Sequence, residues 1–332
     1  MTRQPIVQVI DLSTVDETPL VEQVAQACST VGFFQVINHG VSDSLRQEFR
    51  EACRQYFCVM SESIRQAHRR TASNARGFFD DELTKQRLDW KRALDVGVPG
   101  SRDWTLPDND PRNGCLDGFN QLPNDEELKG FRYTLVKYFS ACEELSNRIA
   151  RLMAAGIAGK DKDGGIVQDM KENHTSYLRI NYYPVYGHEQ HITRRESSGE
   201  PSPFGISPHK DAGFLTVLLQ DDDCHSLQVW LDETWQTIIP VKGAFTINTG
   251  DMAQIWSNGL YKAPLHRVLT NSHKERYSAP FFYNPGYQSY MKPGGSHHQP
   301  AYHPCLWGYF RAVRFAGDFT DLGVESKLTT LK

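Results

Sequence analysis

The chain has little of what marks a membrane, secreted or nucleic-acid-binding protein. Its longest apolar stretches fall well short of a membrane span, and the residues after Met1 form no apolar signal core. Seven cysteines, an odd number without paired spacing, offer no disulfide framework and imply free thiols in a reducing compartment. Basic residues come in short pairs, Arg69-Arg70 and Arg194-Arg195, and the formal net charge is −4, so no basic stripe awaits a phosphate backbone. There is no low-complexity tract, internal repeat or heptad pattern. These absences predict a cytoplasmic protein that contacts neither membrane nor nucleic acid. No stretch reads as an exposed apolar interface, so a monomer is expected.

What is present reads as an ordinary globular chain of 332 residues, 39% hydrophobic and 23% charged, long enough for one large core. Val21, Val24, Ala25, Cys28 and Val31 recur at helical spacing after Pro19, and Leu45, Phe49, Ala52 and Tyr56 mark a second helix. A third and longer helix is expected to begin near Pro123-Asn124-Asp125. It carries Phe131, Leu135, Tyr138, Cys142, Leu145, Ile149 and Leu152 on one face and ends near Gly156. From Tyr177 to Tyr283, β-branched and aromatic runs alternate with Gly, Pro and Asn turns, the pattern of a strand-rich core. A last helical piece, around Leu306 to Phe315, is expected to cover one mouth of that core. Residues 71–120 and 186–205, rich in Gly, Pro, Ser and Asn, read as two long loops.

Chemistry enters through His209-Lys210-Asp211 and a distant His266. His-x-Asp followed by a remote His is the spacing of a 2-His-1-carboxylate facial triad, which binds non-haem Fe(II) on one face and leaves the opposite positions open. In an extended segment His209 and Asp211 share a face. The same alternation pairs Arg276 with Ser278 in Arg276-Tyr277-Ser278, and Asn181 with Tyr183 in Asn181-Tyr182-Tyr183. Polar groups at period two from several segments describe a small β-barrel with a polar, metal-containing interior. A structural zinc site is the competing reading, but structural zinc takes four closed ligands. His39 is expected to cap or pack a turn, and His188, His191, His297, His298 and His303 to be solvated.

The N-terminal Val9-Ile10-Asp11-Leu12-Ser13 and Gly32-Phe33-Phe34-Gln35-Val36-Ile37-Asn38-His39-Gly40-Val41 carry a resemblance to a known family. So do Gly250-Asp251-Met252-Ala253-Gln254-Ile255-Trp256-Ser257-Asn258-Gly259, the His-x-Asp segment and Arg276-x-Ser278. Together they resemble, nearly end to end, the isopenicillin-N-synthase-like branch of the Fe(II)/2-oxoglutarate-dependent dioxygenases. One departure is His225-Ser226-Leu227-Gln228, where the family usually has Gly-Leu-Gln. The resemblance implies a mainly β core with flanking α, a distorted double-stranded β-helix (a cupin-like jelly roll) with N-terminal helices packed on it. It divides a single structural domain into an N-terminal dioxygenase region (1–120), a long helical support (121–176), the catalytic jelly roll (177–285) and a C-terminal loop and helix over the barrel (286–332).

The resemblance further implies that His209, Asp211 and His266 bind Fe(II). 2-Oxoglutarate would chelate the iron, with its distal carboxylate held by Arg276 and Ser278 and the cage completed by Asn181 and Tyr183. With O₂ this yields succinate, CO₂ and an oxidised C–H bond in a small molecule, by hydroxylation, desaturation or ring closure. In isopenicillin N synthase an arginine matching Arg76 binds a substrate carboxylate. Arg76 is accordingly expected to favour an acidic or amino-acid-derived natural-product intermediate, with Phe78, Arg92 and Phe282 as further substrate residues. The alternative is an Fe(II)/O₂ oxidase like isopenicillin N synthase, which uses no 2-oxoglutarate and turns its Arg-x-Ser to substrate. Asn181-x-Tyr183 favours the keto acid.

Overall fold

The computed structural model describes residues 6–71, 74–85, 87–98, 118–158, 166–187, 204–293 and 300–319. Its centre is a sandwich of two sheets. The larger is built from β1 (Gln8–Asp11), β2 (Phe33–Ile37), β3 (Gly77–Phe79), β6 (Arg92–Gly97), β7 (Tyr177–Tyr183), β9 (Leu215–Gln220), β12 (Phe245–Thr249) and β14 (Arg276–Tyr283). The smaller holds β8 (Phe204–His209), β10 (Leu227–Leu231), β11 (Thr234–Thr237) and β13 (His266–Leu269). Across the larger sheet the order is β1-β2-β12-β9-β14-β7-β6-β3, and across the smaller it is β11-β10-β13-β8. Two short pairs lie outside them, Leu83–Thr84 (β4) with Arg87–Leu88 (β5) and Tyr290–Met291 (β15) with Cys305–Leu306 (β16).

Strand alternation sorts side chains between a helix-covered layer and the sandwich interior. On β9, Leu215, Val217 and Leu219 join the main apolar core, while Thr216, Leu218 and Gln220 turn inward. On β14, Tyr277, Ala279, Phe281 and Tyr283 join the same core, and Arg276, Ser278, Pro280 and Phe282 turn inward. β7 repeats the pattern, with Leu178, Ile180 and Tyr182 in the core and Asn181 and Tyr183 inward. Every residue of β9 is buried because both faces of this sheet are covered. A second apolar cluster, including Phe33, Leu218, Leu227, Val229 and Val268, joins the two sheets from inside.

Helices α1 (Thr18–Thr30), α2 (Asp43–Arg54), α3 (Glu62–Ala67), α4 (Phe131–Ala158) and α5 (Ile166–Asn173) precede the catalytic strands, and α6 (Asp251–Trp256) and α7 (Trp307–Phe319) follow or interrupt them. Pro19 sits in the first turn of α1, where its missing N–H costs nothing, and the Ser42 hydroxyl accepts from Leu45 N to cap α2. The α4 residues Phe131, Leu135, Tyr138, Cys142, Leu145, Ile149 and Leu152 are all buried, packed with α1, α2 and the large sheet. No helix among the described residues is long and apolar enough to cross a membrane.

Four expectations need correction. The long helix starts at Phe131, not near Pro123: Asn124 Oδ1 accepts from the N–H groups of Glu126 and Glu127, but Gly130, at φ +73°, ends that turn before the helix begins. Residues 71–120 are not simply a loop, because β3 and β6 extend the large sheet from within them. The extended run at His209-Lys210-Asp211 stops at His209, and the strand around His266 begins only at His266 itself. Residues 99–117 and 188–203, including His188 and His191, lie outside the described residues, as do His297 and His298; His303 is exposed.

Candidate metal centre and its two chambers

His209 ends β8 and His266 begins β13, and the register of these neighbouring strands sets the two residues directly opposite each other. Their ring centroids are 4.3 Å apart. Asp211 lies on the turn just beyond β8. That turn is gripped from below by the start of α6: Asp251 N–H donates to Asp211 O at 2.8 Å and Met252 N–H to Gly213 O at 3.1 Å. Gly250 makes the approach possible, since a Cβ there would collide with the Gly213 carbonyl. This accounts for the Gly250-Asp251-Met252 motif.

The three ligand groups converge. One ligand atom from each of His209, Asp211 and His266 lies within 4.8 Å of the others, and Asp211 Oδ1 is 3.6 Å from Nε2 of both imidazoles. Each histidine is oriented by its second nitrogen. His209 Nδ1 bonds to the Ser207 carbonyl at 2.8 Å and His266 Nδ1 to the Pro264 carbonyl at 3.1 Å. A carbonyl only accepts, so both Nδ1 atoms carry the proton and both Nε2 lone pairs face the shared point. The other Asp211 oxygen, Oδ2, accepts from Thr216 Oγ1 at 2.5 Å and Asn248 Nδ2 at 2.7 Å. One carboxylate oxygen is thus spoken for and one is presented.

Electrostatics favour the same protonation states. Burial, reinforced by His266, lowers His209 to about 3 and keeps it neutral. Burial alone would raise Asp211, but His266, His209 and the two hydrogen bonds outweigh it and hold the carboxyl below its ordinary value. His266 and Asp211 expose 8% and 7% of their side chains against 22% for His209, so the group opens on the His209 side. The donor set, its protonation and its open face fit a divalent iron with three protein ligands.

Two chambers meet at these ligands. The inner one passes Asn181, Tyr183, Thr216, Leu218 and Asn248 and closes on Arg276 and Ser278. Across the strands, Arg276 pairs with Tyr183, and Ser278 with both Asn181 and Gln220. Asn181 Nδ2 donates to Ser278 Oγ and Ser278 Oγ to Tyr183 OH, each at 3.4 Å. Arg276 is 1% exposed and donates through Nη2 to Gln220 Oε1 at 2.9 Å. Its Nε and Nη1 have no hydrogen-bond partner, and no carboxylate lies within 4.0 Å among the described residues.

The outer chamber is walled by Pro280, Phe282, Trp307 and Phe315 on its apolar side and by Glu82, Lys91, Arg179 and Arg314 on its charged side. Lys91 Nζ sits 2.5 Å from Glu82 and 3.2 Å from Asp89. Arg179 binds both oxygens of Asp95 at 2.8 Å and Glu82 at 2.8 Å. Burial would raise Glu82, but Arg179, Lys91 and Arg70 hold it at about 2. The α7 residues Trp307, Arg314 and Phe315 form part of this wall, as the expected covering helix does.

Of the four residues expected at the substrate, only Phe282 lines a chamber. Arg92 pairs with Glu62 at 3.4 Å, and Phe78 belongs to the main core. Arg76 is buried against Gly97, 5.0 Å from the centre of the Tyr177 ring. Strand alternation in β3 and β6 turns Phe78 and Arg92 to the helix-covered layer, whereas Arg76 precedes β3 and lies beside Tyr177 without lining either chamber. His39 closes a turn, bonding the Gly243 carbonyl at 3.0 Å and accepting from Val41 N–H. Thr216, Asn248, Gln220 and the Glu82–Lys91–Arg179 group contact or line the site, and sequence reasoning misses them. The Thr246-x-Asn248 and Thr216-x-Leu218-x-Gln220 alternations are the available signal for the first three.

Comparison with known proteins places this geometry. The 2OG-Fe(II) oxygenase superfamily matches residues 174–285, and the N-terminal region of non-haem dioxygenases in morphine synthesis matches residues 7–125. Jasmonate-induced oxygenase 2 of Arabidopsis thaliana is 32% identical over 327 residues, covering 93% of this chain and 78% of its own. A homoarginine-6-hydroxylase of Glycine max is 30% identical, with 91% and 90% covered. The crystal structure of JOX2 with 2OG, Fe and JA superposes at a TM-score of 0.74, with 31% identity and 93% and 85% covered. The rice dioxygenase for auxin oxidation shares the fold at a TM-score of 0.71 and 22% identity, with 98% and 100% covered. The matches span both halves of the chain, and the chain belongs to the 2OG-Fe(II) oxygenase superfamily.

Proposed function

We propose that His209, Asp211 and His266 hold Fe(II), that the inner chamber takes 2-oxoglutarate, and that a small molecule oxidised at a C–H bond occupies the outer chamber. The observation that carries this reading is Arg276, a buried guanidinium with two unpartnered nitrogens in a chamber it shares with the metal ligands. Burying such a charge without a counter-charge is costly, so the chamber fits a carboxylate of matching reach. Ser278 and Tyr183 offer hydroxyls beside it, and Asn181 Oδ1 remains open toward the same space. When bound, iron and the keto acid supply the activation of O₂ and the oxidising power.

The chain's own residues do the rest. Ser207 and Pro264 carbonyls fix the imidazole tautomers, Thr216 and Asn248 fix the carboxylate, and Phe282 lines both chambers. The charged wall of the outer chamber supports a substrate that itself bears charge, such as a carboxylic acid or amino-acid derivative of a natural-product pathway. Relatives named for jasmonate and homoarginine support a small molecule in that place. Six described cysteines are free, in keeping with a reducing cytoplasm, and we take the working unit to be a monomer. The oxidase without keto acid is not favoured, since relatives are named as 2-oxoglutarate-dependent.

The test is a coupled assay with Fe(II), 2-oxoglutarate, O₂ and a panel of carboxylic and amino acids. Succinate formed in step with O₂ consumed, and stimulated by one panel member, is the expected result. O₂ consumption with no succinate would return the Arg-x-Ser to substrate and overturn the reading.

A further inference from the structure

Arg276 would be useless to a ligand carboxylate if the fold cancelled its charge, and imprecise if nothing held it. Gln220 resolves that conflict. It sits at the end of β9, directly across from Ser278 on β14, and is 3% exposed. Its Oε1 accepts from Arg276 Nη2 at 2.9 Å. Its Nε2 donates to Thr246 Oγ1, on the neighbouring β12, at 3.2 Å. A guanidinium only donates, so the amide oxygen must face Arg276, and the amide nitrogen is left to brace against Thr246 Oγ1. The backbone there is pinned too: Arg50 donates to Gln220 O and to Asp221 Oδ1, both at 2.8 Å, and Asp221 Oδ2 takes Tyr277 N–H at 2.7 Å.

A glutamate at 220 would hold Arg276 equally well but would neutralise it. A glutamine binds one guanidinium nitrogen with a neutral oxygen and leaves the charge, with Nε and Nη1, to whatever enters the inner chamber. We propose that Gln220, with its amide braced by Thr246, is the positioning residue that keeps Arg276 both aimed and uncancelled for the distal carboxylate of 2-oxoglutarate. This rests on the reading of the inner chamber given above. Gln220 acts through Arg276.

The test is anaerobic titration of the full chain with Fe(II) and then 2-oxoglutarate, for wild type, Gln220→Glu, Gln220→Leu, Thr246→Val and Arg276→Met. 2-Oxobutyrate, which keeps the chelating end and lacks the distal carboxylate, is the second probe. In Gln220→Glu the introduced carboxylate takes the place of the ligand's, and the Kd for 2-oxoglutarate is expected to rise at least about 100-fold. Gln220→Leu removes one hydrogen bond to a charged group without adding a charge, for a rise of about tenfold. Thr246→Val removes the brace from the amide and should fall between wild type and Gln220→Leu. Fe(II) affinity and 2-oxobutyrate affinity should stay at wild-type values, which a merely structural role would not allow. Two results would overturn the proposal. One is 2-oxoglutarate binding within twofold of wild type in both Gln220 variants while Arg276→Met loses it. The other is equal loss of both keto acids, which would make Gln220 a packing residue. Wild type that binds Fe(II) but no 2-oxoglutarate would remove the inner-chamber reading itself, and this inference with it.

Discussion

Asn248 offers a direct way to weigh the support around the metal ligands. Asp211 presents Oδ1 toward the two imidazoles only because Oδ2 is tethered by Asn248 at 2.7 Å and Thr216 at 2.5 Å. Asn248→Leu keeps the volume and removes one tether, so the carboxylate gains freedom to rotate about its last bond. A hydrogen bond to a buried carboxylate contributes about 1.5–3 kcal/mol. At about 1.4 kcal/mol per factor of ten, its loss weakens Fe(II) binding roughly 10- to 100-fold, the range known for supporting contacts to metal ligands. Thr216→Val should match it. The double variant should lose less than the product of the two, because once one tether is gone the second no longer fixes a unique rotamer. The assay is anaerobic competition for Fe(II) against a chelator of known affinity, with 2-oxoglutarate affinity measured at saturating iron as control. Fe(II) affinity within twofold of wild type in both single variants would refute the argument that Oδ2 anchoring orients the ligand.

Other expectations follow from the same geometry. Gly250→Ala forces a methyl into the Gly213 carbonyl beneath the Asp211 turn, and both the thermal midpoint and Fe(II) binding should fall, read by calorimetry and metal titration. Lys91→Met strips one cation from buried Glu82 and Asp89, at a cost of about 3 kcal/mol in chemical denaturation; Lys91→Met/Glu82→Gln should recover part of it. Because Glu82 is held at about 2 in the fold against roughly 4.3 when unfolded, its contribution is full above the higher value. It fades as pH drops toward the lower, so Glu82→Gln should flatten the acid limb of stability against pH. Phe282→Ala enlarges both chambers where they meet and should uncouple succinate formation from substrate oxidation, seen as succinate in excess of product.

Much of this site is legible in the sequence because strand geometry is local. Alternation alone sends Arg276 with Ser278, and Asn181 with Tyr183, to one face, and the cross-strand register then brings the two pairs together. The same rule applied to Phe245–Thr249 reaches Thr246 and Asn248, whose polar side chains alternate with apolar ones. The charged wall is opaque for a different reason. Arg179 finds Asp95 and Glu82 from 84 and 97 residues away, and no local pattern carries such a pairing. β6, with Arg92 and Asp95 buried in its run, reads as a loop until Glu62 and Arg179 are seen to compensate those charges. Arg76 illustrates the converse: a motif can mark a buried arginine without telling whether it reaches a chamber.

The central claim is tested most directly by anaerobic titration of the apoprotein with Fe(II) and then 2-oxoglutarate, watching for the weak visible charge-transfer band of a chelated keto acid. A band that requires both additions, and that Arg276→Met abolishes at the same 2-oxoglutarate concentration, is the predicted result. Bound Fe(II) with no band at any 2-oxoglutarate concentration would contradict the account and leave the inner chamber to another ligand.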